Sequence, residues 1–439
     1  MEQDKFDLIV VGAGPAGAAA AMRAARAGLD VVLLERGSSP GGKNVMGGVM
    51  YGHALRDAIP DFDPRTAPLE RTVAEQGYWL LTGEDALRVS YRSPRHAAPP
   101  ENCFTVLRAR FDPWFAGQAE EAGAMMLTGT TVTGLIRRNE DPRGQVIGVR
   151  TDRPDGDLLA DAVIVASGVH ALPELLAARP HGDLRPDQVA LAVKEVVHLG
   201  EEEVGRRFAL APGQGAAYEL LGTITRGLPG VGFLYTNRDT VSIGAGVVLA
   251  DLAAAGLKPY ELLDGVKEHP MLRPFLDGGD VVEYSAHLIP EAGHAGLPDL
   301  AGDGLLVAGD AAGLVNSLRR EGSNLAITSG LLAADAVIHA RETGDSSARG
   351  LAGYAESLGR SFVLQDLRRY RQAMPYLRAH PEFFGLYPEL AAIAADSVFL
   401  ATGEPRRQRA RKLIAELRRR RSPLRALRDL WGLWRALNG

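Results

Sequence analysis

Three glycines spaced as Gly12, Gly14 and Gly17 in the stretch DLIVVGAGPAGAAAAM, followed by a carboxylate at Glu35, have the layout of a turn that cradles the phosphates of a dinucleotide. Gly12 permits the tight turn, Gly14 lets the backbone approach a pyrophosphate, and Gly17 lets a helix pack close on a strand. Ala13, Pro15 and Ala16 complete the turn, and the helix that begins at Pro15 turns unpaired N–H groups and its positive end toward a phosphate. Glu35, 18 residues beyond Gly17, can accept hydrogen bonds from a ribose diol. An acidic residue there disfavours a 2′-phosphate, and so NADP, but leaves NAD and FAD both open. A glycine pattern alone is a weak signal; the strand before it and the helix behind it give it weight.

A second small-residue turn, AGDAAG over residues 308–313, comes nearly 300 residues later at the end of an apolar run. On its own, Asp310 reads as readily as a helix cap or an Asx-turn. Paired with the N-terminal turn, Gly309 and Asp310 face a polyhydroxyl chain, which FAD carries as its ribityl group and NAD lacks. The two turns together point to FAD.

These residues need a scaffold, and the apolar patterning supplies one. Residues 6–11 and 30–34 read as buried parallel strands on either side of a helix over 15–28, a βαβ unit. The loop GSSPGGKNVMGG at 37–48 is too glycine-dense for the interior of an element. Residues 111–124 read as a helix, and MMLTGTTVTGLI, GQVIGVRT and DAVIVAS as short strands. VGFLYTN and TVSIGAGVVL, separated by Arg-Asp, have the signature of an antiparallel hairpin. GLLVAGDAAGLV at 304–315 is a strand running into a turn, NLAITSGLLAADAVIHA at 324–340 is an apolar helix, and the pattern beyond Leu351 is helical and charged.

The expected fold class is α/β: a Rossmann-like, glutathione-reductase-like FAD-binding domain with an inserted α+β antiparallel-sheet domain and a helical C-terminal region. The FAD-binding domain is expected from three segments, 1–75, 101–184 and 286–345. Residues 76–100 and 185–285 form the second lobe, on the quinone or substrate side, and 346–439 the helical region with its basic tail.

Composition removes several classes. The 439 residues are 46% hydrophobic, enough for two lobes. No apolar run reaches the roughly 18 residues needed to span a bilayer, and a strand pattern starting near Phe6 leaves no room for an export signal, so a cytoplasmic protein is expected. The single cysteine, Cys103, excludes an internal disulfide, a thiolate zinc site and a four-thiolate iron–sulfur cluster within the chain; it reads as a packed hydrophobe without a role. No triad, metal site or general base is expected, and His198, His287 and His294 read as structural or surface residues.

The pairing of GAGPAG with GDAAG, the loop GGKNVMGG, and the segments VLRARFDPW, GFLYTNRDTVSIGAGV and EYSAHLIPEAG together resemble the electron-transfer-flavoprotein:quinone oxidoreductase family, in particular its short bacterial FixC members, from residue 6 to about 405. The resemblance implies that Gly12, Gly14, Gly17, Glu35 and Arg36 hold the AMP half of FAD and that Lys43, Asn44, Gly47 and Gly48 line the flavin. It implies too that Arg110 reaches the dinucleotide, that Asp310 binds the ribityl chain, and that Gly322 aims its N–H at the pyrimidine edge. Asn324, among these positions, stands where related chains often carry Asp. Ser167-Gly168-Val169-His170 likewise stands where such chains usually read Asp-Gly-Val-Asn, and the loop 316–321 is unusually charged.

Longer members carry their own ferredoxin-like domain, so the resemblance implies a separate ferredoxin-like iron–sulfur subunit beside electron-transfer-flavoprotein subunits and a membrane quinone, as one branch of electron bifurcation. A geranylgeranyl reductase-like enzyme saturating polyprenyl double bonds, and an FAD-bound assembly subunit without turnover, are the alternatives. Met46 stands where many of those reductases carry a cysteine.

Residues 405–439 hold twelve Lys or Arg against Glu416 and Asp429, so the tail is +10 while the rest of the chain is −15. Leu413, Ile414 and Leu417, then Leu424, Leu427, Leu430, Trp431 and Trp434, give two amphipathic helices with cationic faces. Such a pair suits docking on anionic lipid at the inner face of the cell membrane and suits packing on a partner equally well. Nucleic acid is not expected, because the remainder is acidic.

Overall fold

The computed structural model describes residues 5–42, 48–169 and 185–439. Lys43, Asn44, Gly47 and His170 lie outside the described residues. The chain forms two compact units, residues 1–72, 99–189 and 287–368 in the first and 73–98, 190–286 and 369–439 in the second.

The first unit is built on a parallel sheet. Strand β1 (Lys5–Val11) lies between β2 (Val31–Leu34) and the strand Leu158–Val165, with Val11 paired to Leu34 on one side and Val165 on the other. Leu305–Val307 extends the sheet beyond Leu158–Val165, and Met125–Leu127 extends it beyond β2. Strands buried on both faces read as unbroken apolar runs, which is the pattern of VVLL and AVIV.

Helix α1 (Pro15–Arg26) starts with Pro at its first turn, where the missing N–H costs no hydrogen bond. Its alanines are small for a reason. The helix Ser323–Thr343 crosses it so closely that a Cβ on Gly330 would sit 2.1 Å from the Ala16 carbonyl oxygen. A Cβ on Gly17 would sit 1.8 Å from the Gly12 carbonyl oxygen. β3 (Val49–Tyr51) pairs antiparallel with Cys103–Thr105 and leads into the short helix α2 (Gly52–Ala58).

The second unit carries an antiparallel sheet. Its strands run in the order Asp280–Pro290, Val189–His198, Thr240–Val248, Gly230–Thr236, Gln214–Gly222 and Arg71–Leu81, with Ala86–Arg92 beside the last. The expected hairpin is present: Gly230–Thr236 and Thr240–Val248 pair directly, and Asn237 ties the turn by donating from Nδ2 to Thr240 Oγ1 at 3.0 Å and Ser242 Oγ at 2.9 Å. Its glycines make room for an aromatic ring, since a Cβ on Gly244 would lie 2.5 Å from the Phe233 ring. Leu220, Leu234 and Ile243 are fully buried beneath this sheet.

The helices after residue 345 do not form one region. Gly353–Arg360 buries Tyr354 and Leu358 in the core of the first unit, and Tyr354 Oη donates to the Val307 carbonyl at 2.8 Å. Helices from Arg369 onward belong to the second unit, which divides the expected 346–439 region at Arg368/Arg369. There Leu386–Phe399, Arg406–Arg420 and Pro423–Asn438 pack around a buried carboxylate, Asp429. Tyr387 Oη donates to Asp429 Oδ2 at 2.6 Å, Arg421 Nε at 2.8 Å, and Arg421 also pairs with Glu382 at 3.0 Å. All of these bonds fall on Oδ2; the buried Oδ1 has no hydrogen-bond partner among the described residues, so the cost of burying this ion pair is offset only in part.

Candidate functional site

All described candidate residues lie in the first unit, and Gly12, Glu35, Gly309 and Asp310 follow the carboxyl ends of its parallel strands. The turn after β1 holds Gly12 at φ +101°, with its N–H donating to the Leu34 carbonyl at 2.7 Å. A Cβ there would meet the Ala166 carbonyl oxygen at 2.5 Å, so no side chain fits. Gly14, the residue before helix α1, differs: a Cβ on it would meet nothing within 4 Å. Helix α1 carries no acidic residue in its first turn and no side-chain cap, so its positive end faces that open side uncompensated.

Glu35 directly follows β2 beside this turn. Its Oε2 accepts from the Ala13 N–H at 3.1 Å and its Oε1 from the Gly37 N–H at 2.6 Å, which fixes the carboxylate while leaving lone pairs for a ligand's hydroxyls. Arg36 is exposed.

Asp310 sits in the short turn Gly309–Ala312 that follows Leu305–Val307. Gly309, at φ +61°, presses on α1, where its Cβ would be 2.9 Å from Ala16 Cβ, and its N–H donates to Ser329 Oγ at 2.9 Å. Burial pushes the Asp310 carboxyl up to about 6, and the Arg108 guanidinium holds back part of that rise.

Arg108 is thus the arginine that acts on Asp310. Arg108 clamps Asp112 through Nε at 2.5 Å and Nη2 at 2.7 Å, with both side chains buried. Burial works against its charge, but Asp112 and Asp310 hold its pKa above the ordinary value. Gly41, at φ +69°, lets the glycine loop pass over the pair, since a Cβ there would touch the Arg108 carbonyl oxygen at 2.7 Å and Asp112 Cβ at 2.8 Å. Arg110 is more open: its side chain is 62% exposed and pairs with Glu70 at 3.4 Å. One helical turn holds both arginines, and the signal that separates them is the i,i+4 spacing of Arg108 to Asp112.

The N-terminus of the Ser323–Thr343 helix closes the other end. Gly322 is its N-cap, where a Cβ would meet only Val315 Cγ2, at 4.0 Å. Asn324 is 2% exposed, yet its Oδ1 has no hydrogen-bond partner among the described residues, and its Nδ2 reaches Glu321 at 3.5 Å. Buried Asn316, whose backbone pairs with Glu321, leaves its Nδ2 equally unmatched, as does Ser167 its Oγ. Buried polar atoms without partners are costly, and each of these is a place for a polar ligand to supply the missing bond. Asn316 is a residue that sequence reasoning passed over; its unmatched amide emerges only from the fold. Gly48 is half-buried and its carbonyl accepts from the Val106 N–H at 2.9 Å.

Cys103 is fully buried, and that burial pushes its thiol up to about 12. No group of three or more metal-ligating side chains occurs among the described residues.

Residues 7–175 match the family of FAD dependent oxidoreductases, and residues 373–438 match the ETF-QO/FixC family C-terminal domain. Protein FixC of Bradyrhizobium diazoefficiens is 43% identical over 427 residues, 96% of each chain. The chain belongs to the ETF-QO/FixC family. A second member, named "Probable electron transfer flavoprotein-quinone oxidoreductase YdiS", from Escherichia coli K12, is 41% identical over 94% of this chain and 95% of its own. A solved geranylgeranyl bacteriochlorophyll reductase-like protein from Thermoplasma acidophilum shares the fold at TM-score 0.72, covering 98% of this chain and all of its own, at 21% identity. As an ETF-QO/FixC member the protein is an FAD-dependent oxidoreductase. The open side of Gly14, the held carboxylate of Glu35 and the unmatched amides of Asn316 and Asn324 fit that cofactor.

Proposed function

We propose that the protein accepts electrons from an electron-transfer flavoprotein and delivers them to a membrane quinone, as a subunit of a bifurcating complex that also contains a ferredoxin-like iron–sulfur protein. FAD, when bound, takes and gives electrons singly or in pairs, which suits a relay between one-electron carriers and a two-electron quinone. The observation that carries this reading is likeness along nearly the whole chain, including the C-terminal domain, to proteins named FixC and electron transfer flavoprotein-quinone oxidoreductase.

The chain's own residues bind and tune. Glu35 takes the ribose diol; the Gly12–Gly17 turn and the start of α1 hold the pyrophosphate. Asp310, kept in place beside Arg108, accepts from the ribityl hydroxyls. Gly322 and Asn324 meet the pyrimidine edge, where a helix N-terminus favours negative charge and so makes electrons easier to accept. Gly48 lines the flavin, and no side chain is required as acid, base or nucleophile to move electrons alone.

The tail supports a membrane address. Trp431 and Trp434 stack with ring centroids 4.9 Å apart and are 59% and 54% exposed, and Leu424 and Leu427 are exposed with them. Val398 and Phe399, which the sequence patterning left unremarked, are exposed too. Interfacial tryptophans beside an arginine-rich face suit anionic headgroups at the cytoplasmic side of the membrane. The deciding experiment is stopped-flow reduction of the FAD-loaded protein by reduced electron-transfer flavoprotein, with and without a quinone analogue. Fast flavin reduction followed by quinone-dependent reoxidation is expected; absence of either rejects the proposal.

A further inference from the structure

His53 stands in the first turn of helix α2, and nothing in the binding scheme uses it. Its ring sits edge-on to Phe362, centroids 5.6 Å apart, and 6.2 Å from Tyr51, while the residue keeps an exposed edge. The charged groups acting on it are Asp57 and Arg56 from its own helix and Glu321 from the loop ahead of the Ser323–Thr343 helix. Glu321 directly precedes the N-cap Gly322, its carboxylate lies 3.5 Å from the Asn324 amide, and Ser323 Oγ donates to the Val49 carbonyl at 3.0 Å. That last bond ties the helix start to β3, whose chain continues into Gly52 and His53.

We infer that His53, working against Glu321, is the proton carrier that balances charge when the flavin is reduced and that releases the second proton a quinone requires. The inference rests on the flavin pose and the quinone acceptor proposed above. Burial of part of the ring lowers the His53 pKa, opposed by Asp57 and Glu321, so near neutral pH the imidazole is largely uncharged. Flavin reduced by two electrons holds one proton and one negative charge, placed by this pose at the helix N-terminus beside Glu321. Glu321 is itself paired with Arg319, Oε1 to Nε at 3.7 Å, so the negative charge added by reduction is what draws a proton onto His53, whose exposed edge exchanges with water. The balance then closes without another reactant. A quinone gaining two electrons and two protons becomes a quinol; the electron pair and one proton leave the flavin, and the His53 imidazolium gives the other proton and returns to imidazole.

The test is the pH dependence of the flavin potential in the full-length, FAD-loaded protein, parent against His53→Gln. The parent takes up nearly two protons per electron pair across the window between the His53 pKa in the oxidised and reduced forms. The variant takes up one, so its reduction equilibrium changes tenfold instead of a hundredfold per pH unit, a slope of about 30 mV instead of about 60 mV for a two-electron couple. NMR titration of His53 before and after dithionite reduction gives a readout independent of turnover, and its pKa rises on reduction. Equal slopes in parent and variant, or a His53 titration unmoved by reduction, overturn the inference. Asn324→Ala separates the two ideas. If it changes FAD affinity or potential while His53→Gln changes neither, the proton role alone falls. If neither substitution has an effect, the flavin pose falls with it.

Discussion

Replacing Asp310 by Asn separates what this carboxylate costs the fold from what it does for the cofactor. In the folded chain burial raises its pKa to about 6 from an ordinary 3.8. The folded state therefore disfavours the charged form. Above pH 6 the ionised group destabilises the first unit by the full difference, about 2 pKa units or about 3 kcal/mol at most. The penalty shrinks as the pH falls from 6 toward 3.8 and is absent below. The Asp310→Asn amide keeps the shape without the charge, so the cofactor-free variant should be more stable than its parent by up to about 3 kcal/mol at pH 8, with the gain fading by pH 4. FAD binding should move the other way. A hydrogen bond accepted by a charged group contributes about 1–2 kcal/mol more than one accepted by a neutral amide, so the Kd for FAD should rise roughly tenfold at pH 8. Urea midpoints of the cofactor-free proteins at pH 8 and pH 4.5, with fluorescence titration of FAD, measure both. A variant no more stable at pH 8, or equally stabilised at both pH values, would refute the reasoning.

Gly17→Ala and Gly14→Ala should part company: the first places Cβ 1.8 Å from a backbone oxygen and should lose soluble protein, whereas the second meets no protein atom and should fold normally but purify with little FAD. Arg108→Met leaves Asp112 buried without its partner and should cost about 3–5 kcal/mol in thermal or urea unfolding. Arg110→Met, at an exposed pair, should cost no more than about 1 kcal/mol. Replacing Trp431 and Trp434 together by Ser should weaken binding to anionic vesicles at least about tenfold while leaving the urea midpoint in place; unchanged vesicle sedimentation would leave the exposed face to a protein partner. Deleting 405–439 is a poorer test, because it removes Asp429 from Tyr387 and exposes the helices packed there.

Where the sequence is legible, the information is local. The βαβ unit is written in a strand, a glycine triplet and a second strand within 30 residues, and β1, α1 and β2 fall where the patterning puts them. The hairpin at 230–248 follows from alternation and a two-residue polar turn in the same way. The arginine beside Asp310 is harder to read because VLRARFDPW offers two candidates in one helical turn; the i,i+4 spacing to Asp112 is a faint signal for Arg108, and the fold adds that Arg108 is far less exposed than Arg110. Asn316 escapes because an unmatched amide is a property of the folded neighbourhood and not of the residue. The division of the C-terminal helices at Arg368/Arg369 escapes because both sides read as charged amphipathic helix, and nothing in that pattern says which core Tyr354 enters.

The close crossing of α1 by the Ser323–Thr343 helix also sets an order of events during synthesis. Gly330 must reach Ala16, a residue that left the ribosome more than 300 positions earlier. At ~5–20 residues per second, Ala16 waits roughly 15–60 s for its neighbour. The strands of the second unit between 190 and 286 emerge in that interval and can pair among themselves, while the dinucleotide turn, complete in sequence, still lacks the helix that seals it. The cofactor site is finished late, after the strands of the second unit have emerged and with only the C-terminal helices still to come.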